Sequence, residues 1–259
     1  MTEVALVTGA ARRIGAMVAR TLAQAGYDVA LHVSQRSRDE AEGVAADVRA
    51  LGRRAIVLCA DLADAHAVAA LTPAAAALGP VTLLVNSASL FAADAPGVID
   101  AALWDPMFAV NLRAPVALSA AVFEALPANR EGVVVNIIDQ RVWRLNPQYF
   151  TYTLTKSALW TATQTAAQAF APRMRVNAVA PGPVLPNVLG DRAAFDHEVA
   201  GTPLARPVGP VAIAEAVLYL ARARSVTGVM LPVDAGQHLA WRTPDVVDEP
   251  NPRSAADGS

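Results

Sequence analysis

Two periods alternate along this chain. Short, branched and almost wholly apolar runs at residues 4–7, 29–33, 55–59, 83–85, 133–138, 175–179 and 229–233 read as strands. Between them, Ala-rich stretches with helical spacing cover 13–25, 38–51, 65–78, 103–126, 155–170 and 211–221. Strands apolar on both sides are buried on both faces. Strands that alternate with helices build right-handed βαβ units and a parallel sheet. The pattern predicts an α/β fold. It is a single Rossmann-type domain, a doubly wound parallel sheet of about seven strands with helices on both faces.

No internal boundary interrupts the alternation, so one catalytic domain is expected over residues 1–242. The stretch 181–210 is rich in Pro and Gly but is flanked by the same repeat. It reads as a substrate loop carrying a short helix. Residues 243–259 change character, with Pro, Asp, Ser and Gly dominating. They read as a polar, solvated tail, or as an arm on a neighbouring subunit.

Composition narrows the partners. Of 259 residues, 54% are hydrophobic and 17% charged, enough for a sizeable core and too apolar for a disordered chain. No run approaches the ~20 uninterrupted apolar residues of a membrane span, and the first residues lack a basic leader. The one cysteine, Cys59, suits a reducing compartment, so a cytoplasmic location is expected. A net charge of −2 without a basic block suggests no nucleic-acid partner. His197 and His238 lack ligand spacing, so no metal is expected.

The first strand runs into Thr8-Gly9-Ala10-Ala11-Arg12-Arg13-Ile14-Gly15 at the opening of the first helix. A pyrophosphate needs bare N–H groups and a helix N-terminus aimed at it. Gly9 permits a sharp turn and Gly15 a close helix–strand approach. The second strand ends in Leu31-His32-Val33-Ser34-Gln35-Arg36-Ser37, with no carboxylate until Asp39 to hold a ribose 2′-hydroxyl. Arg13, Ser34, Arg36 and Ser37 could instead hold a 2′-phosphate. NADPH is therefore the expected cofactor; a merely solvated basic loop is the alternative.

The glycine motif resembles that of the short-chain dehydrogenases/reductases, with Arg12 where a middle glycine is common. That variant is similar to the one in pteridine reductases. The resemblance covers roughly residues 1–240 and implies further roles. Asp61, followed by Leu62, would receive the adenine amino group, although Asp61 also suits a helix N-cap. Asn86-Ser87-Ala88-Ser89 is similar to the family's Asn-Asn-Ala-Gly beside the cofactor. Pro181-Gly182 resembles a further cofactor-side segment. Asn111 resembles a helix-bending Asn that supports a proton relay, or is structural only.

Tyr152-Thr153-Leu154-Thr155-Lys156 carries the most information. At i and i+4 the two side chains share a helix face. An ammonium ~4 Å away at an effective dielectric of ~20 favours the phenolate by about 4 kcal/mol. That would bring a tyrosine pKa of about 10 toward 7, a range useful for acid–base work. Lys156 can also hold the nicotinamide ribose. Thirteen residues before Tyr152, Asp139 stands where most family members have serine. An ionised aspartate accepts only, so a ring with N–H donors fits better than a ketone, unless Asp139 is a plain surface residue. Pteridine reductases carry Asp at this place. Phe91 resembles the Phe that stacks on their pterin, or packs in a core or subunit contact. Arg141, Trp143 and Tyr149 lie in the substrate-loop region.

These residues predict an NADPH-dependent reductase of a pterin-like small molecule. Tyr152, Lys156, Asp139 and Asn111 would be its catalytic set, and the family suggests a homotetramer. A carbonyl or 3-oxoacyl reductase is the rival enzyme reading. A cofactor-binding regulator without turnover is the rival from another class.

Overall fold

The structure, a computed structural model, describes residues 3–97, 99–185 and 192–240. The 243–259 tail and part of the 183–201 loop lie outside the described residues. In chain order the elements are β1 (Val4–Thr8), α1 (Arg13–Gln24), β2 (Asp28–Val33), α2 (Arg38–Ala50), β3 (Ala55–Cys59), α3 (Ala65–Ala75) and β4 (Val81–Asn86). Then come α4 (Ala101–Phe108), a π-turn (Ala109–Arg113), α5 (Ala114–Ala125), β5 (Gly132–Ile137) and α6 (Phe150–Phe170). The chain continues through β6 (Met174–Pro181), α7 (Arg192–Ala200), α8 (Pro210–Arg222) and β7 (Met230–Val233).

Among the described residues, seven parallel strands form one sheet in the order β3-β2-β1-β4-β5-β6-β7. Successive strand residues point to opposite faces, and both faces are covered. Ala5, Val7, Leu31 and Val135 pack in the layer of Leu22, Ile213 and Val217 from α1 and α8. Val4, Leu6, Ala30 and Val134 pack in the other layer, with Leu71 of α3 and Leu118 of α5. The strand order reverses between β1 and β4. Their C-terminal ends therefore splay the following loops apart and leave a crevice there.

The helix expected at 103–126 is present but not regular. The N–H of Ala114 bonds back five residues to the carbonyl of Ala109. Pro115 explains the break. It has no N–H to give the carbonyl four residues back, which is that of Asn111, and its ring crowds that position. The run Ala101–Ala125 is long and apolar enough to cross a membrane by composition, but half of its most apolar window is buried in this domain. The helix expected from 155 begins earlier, at Phe150, so Tyr152 lies within its first turn.

Candidate active site

A cavity of about 470 Å³ opens at the reversal point. Gly9, Ile14, Gly15, Ser34, Ser37, Asp61, Leu62, Ser87 and Ala88 all line it, as do Arg12 and Arg13. Its floor is backbone. Gly9 has φ +67, and a Cβ there would come within 2.8 Å of the Ala88 Cα. At Gly15 a Cβ would come within 2.2 Å of the Gly9 carbonyl oxygen. Thr8 Oγ1 accepts from the N–H groups of Ser87 (3.0 Å) and Ala88 (3.1 Å), which fastens the loop after β4 to the turn after β1.

The polar residues divide differently from the sequence reading. Arg12, given no role there, has a guanidinium beside Ser37 Oγ (3.4 Å) and Glu40 (2.6 Å). Arg13, expected at the 2′-phosphate, has φ +50 and donates to the Leu185 carbonyl (3.2 Å) on the substrate-side loop. Arg36 is exposed and outside the cavity lining. The helix-cap alternative for Asp61 is corrected. Asp64 caps α3 by accepting from His66 N–H (2.8 Å), while Asp61 makes a local turn to Ala63 (2.9 Å) and faces the cavity.

His32, read only as part of a strand, also lines the cavity and is 2% exposed. Asn86 does not line it. Its buried amide donates to Asn136 (2.8 Å) and ties β4 to β5. Pro181 and Gly182 also lie outside the lining. A Cβ at Gly182 would fall 2.6 Å from the Asp234 Cα, so this glycine serves the approach of β6 to β7.

At the β5 side of the crevice, Tyr152 is 6% exposed and Lys156 2% exposed. The Tyr152 hydroxyl donates to Asp139 Oδ2 at 3.0 Å, and Asp139 Oδ1 accepts from the Arg141 N–H at 2.8 Å. Burial, with the Asp139 carboxylate beside it, holds the Tyr152 pKa well above its usual value. This corrects the expectation that Lys156 draws Tyr152 down. The Lys156 ammonium donates to the Ile137 carbonyl (2.9 Å) and stands 5.6 Å from the Tyr152 ring centre. Burial raises the Asp139 pKa and lowers that of Lys156 to about 8.

The rest of this side is assembled from distant segments. Asn111, fully buried, accepts from the Leu90 N–H (2.8 Å) and donates to the Leu90 carbonyl (2.9 Å) and Thr155 Oγ1 (3.2 Å). It thereby pins the loop that carries Phe91 to α6. Phe91 stacks on Tyr149 (4.3 Å, 19°) and meets Tyr152 edge-on (4.7 Å, 88°). The Arg141 guanidinium covers the Tyr149 ring at 5.1 Å. Asp94, unmarked in the sequence, accepts from both the N–H (3.1 Å) and the hydroxyl (2.5 Å) of Thr151. It caps α6 from 57 residues away, a separation that no local motif reports.

The family model described as short chain dehydrogenase matches residues 3–196. The chain belongs to the short-chain dehydrogenase family. It is thus an oxidoreductase by family, and its solved relatives share its whole architecture. FolM alternative dihydrofolate reductase 1 from Brucella canis, complexed with NADP, superposes with a TM-score of 0.91 at 49% identity over 95% of this chain and 97% of that one. An uncharacterized oxidoreductase of Mycobacterium tuberculosis is 36% identical over 248 residues, 90% of this chain and 91% of that protein. The 3-oxoacyl-(acyl-carrier-protein) reductase of Staphylococcus aureus is 30% identical over 246 residues, 92% of this chain and 99% of that one.

Proposed function

We propose that this short-chain dehydrogenase is an NADPH-dependent reductase of a pterin-like ring, such as a dihydropterin or a dihydrofolate-like compound. The observation that carries the reading is the Tyr152–Asp139 pair, a buried phenol donating to a carboxylate at 3.0 Å beside the 41%-exposed Phe91. A carboxylate accepts where the family's usual serine donates. The pair therefore suits a flat ring that offers N–H donors and needs a proton at nitrogen. One face of Phe91 is taken by Tyr149, and its exposed remainder suits stacking on such a ring. The likeness to a dihydrofolate reductase complexed with NADP supports the same reading.

The cavity fits NADPH. The glycines leave the turn bare, and the first-turn N–H groups of α1 lack intrahelical acceptors. In this reading Arg12, with Ser34 and Ser37, would hold the 2′-phosphate. Its exposed pair with Glu40 is weak enough to exchange for a phosphate. Asp61 and Leu62, which line the cavity, would hold the adenine end, and Lys156 the nicotinamide ribose.

When bound, NADPH supplies the hydride. The chain's own residues manage the proton. Tyr152, kept protonated by its surroundings, gives its hydroxyl proton to the ring nitrogen of the C=N bond being reduced, so that bond becomes CH–NH. Asp139, whose burial raises its affinity for a proton, takes one from solvent and passes it to the Tyr152 oxygen, which restores the phenol. Lys156 remains an ammonium at neutral pH and offsets the negative charge left on the pair. Asn111 keeps Phe91 in place through the Leu90 loop.

The reading is tested by NADPH consumption with dihydrobiopterin, dihydromonapterin and dihydrofolate, set against ketones and a 3-oxoacyl thioester. Turnover of the pterins, lost in Asp139→Asn, is expected. Turnover confined to the carbonyl substrates would favour the second reading, a carbonyl or 3-oxoacyl reductase, which the 30% identity to the staphylococcal reductase supports. We also propose, from the family resemblance, that the enzyme is a homotetramer. An apolar groove of about 250 Å³ between α5 and α6, lined by Val116, Ala120, Leu159 and Phe170, supports it. A monomeric mass in light scattering would overturn that part.

A further inference from the structure

We propose that His32 is the positioning residue of the cofactor pocket: its imidazole, held as the Nε2–H tautomer, fixes the turn after β1 and the end of β3 in one arrangement. The inference rests on the NADPH reading above and adds a residue that reading does not use.

The geometry leaves one assignment. His32 Nε2 lies 3.2 Å from the Ala60 carbonyl oxygen, which can only accept. Nε2 therefore carries the hydrogen. The Gly9 N–H points at Nδ1 from 3.4 Å and can only donate, so Nδ1 must present its lone pair. Burial lowers the His32 pKa to about 4, which keeps the ring neutral and this tautomer intact at physiological pH. The His32 backbone carbonyl also accepts from the Ala10 N–H at 3.0 Å. One residue thus takes both N–H groups of the turn, Gly9 by its ring and Ala10 by its carbonyl. Those two donors are thus spent within the protein. On its other side the ring holds Ala60, the residue before Asp61. The two grips on a dinucleotide, at its phosphates and at its adenine end, share this single imidazole.

The two hydrogen bonds can be separated by substitution. Asn places its oxygen near Nδ1 and can keep the Gly9 contact. Gln places its amide nitrogen near Nε2 and can keep the Ala60 contact. NADPH affinity is read by fluorescence titration, and folding by thermal melting, for native protein, His32→Asn and His32→Gln. The Asn variant is expected to bind within about threefold of native, and the Gln variant about tenfold more weakly, the order of one buried bond. Both should melt at similar temperatures, because each loses one bond. Equal affinities in the two variants, while native binds, would overturn this inference alone. A native protein that binds no NADPH would overturn the cofactor reading and this inference with it. A measurement on the native protein covers variants that fail to fold: nitrogen-15 NMR of labelled histidine should show His32 neutral with Nε2 protonated at pH 7. An Nδ1–H ring or an imidazolium there would overturn the assignment.

Discussion

The two sides of the crevice are built by different means. Around β1, β2 and β3 the wall is backbone, with Gly9 and Gly15 packed against neighbouring main chain and Thr8 and His32 clamping N–H groups. Around β5 and α6 the wall is side chain, with Tyr152, Asp139, Phe91, Tyr149 and Asn111 holding one another by rings and hydrogen bonds. A backbone wall is indifferent to most side chains but intolerant of a single added atom. A side-chain wall tolerates shifts in the chain, yet each of its members has a separate chemical job.

The sharpest test of that division is Tyr152→Phe. Removing the proton donor should lower kcat about 10³-fold, within the usual range for a general acid, and leave NADPH affinity as it was. A parallel loss of affinity in a fluorescence titration would erase the contrast. Next comes acid. Folded His32 refuses a proton until about pH 4, whereas an unfolded one takes it near 6.5. Below 6.5 the unfolded chain therefore binds more protons, and stability falls as pH drops toward about 4. The full loss is about 3 kcal/mol. Urea unfolding at pH 7 and pH 4.5 should show it, and His32→Asn should remove that share. Third, Gly15→Ala would force a Cβ against the Gly9 carbonyl oxygen. About 1–3 kcal/mol of overpacking corresponds to roughly five- to 150-fold in NADPH affinity. The smallest effect is expected for Asp94→Ala. Loss of the α6 cap should cost about 1 kcal/mol in thermal unfolding and raise the pterin KM with no change in NADPH affinity.

The same division decides what the sequence could reveal. The glycine turn is contiguous and Tyr152 and Lys156 lie on one helix, so local spacing made them readable, whereas Asp61 was read through the family resemblance. All seven strands were legible from apolar runs, those of the central strands left by burial on both faces and those of the edge strands β3 and β7 only partly buried. Asp94 and Asn111 act on residues far along the chain, and nothing near them announces the partner. Arg13 has a positive φ at a non-glycine residue and reaches the Leu185 carbonyl, an arrangement that residue type does not encode. The raised Tyr152 pKa was missed because pairing with Lys156 was weighed and burial beside Asp139 was not. One signal was present and unused. Pro115, four residues after Asn111, removes the donor that a regular helix needs and so marks the π-turn.

That proline has a consequence for anyone who would strengthen this enzyme. Survey-style stabilisation replaces helix-breaking residues with good helix formers, and Pro115→Ala would be an early choice. It would restore the missing rung, close the widened turn into regular helix and rotate α4 against α5. The Asn111 amide would leave the Leu90 loop. A higher melting temperature bought in this way would be drawn directly from the order of the substrate wall, so the margin between durability and turnover is set at one imino acid.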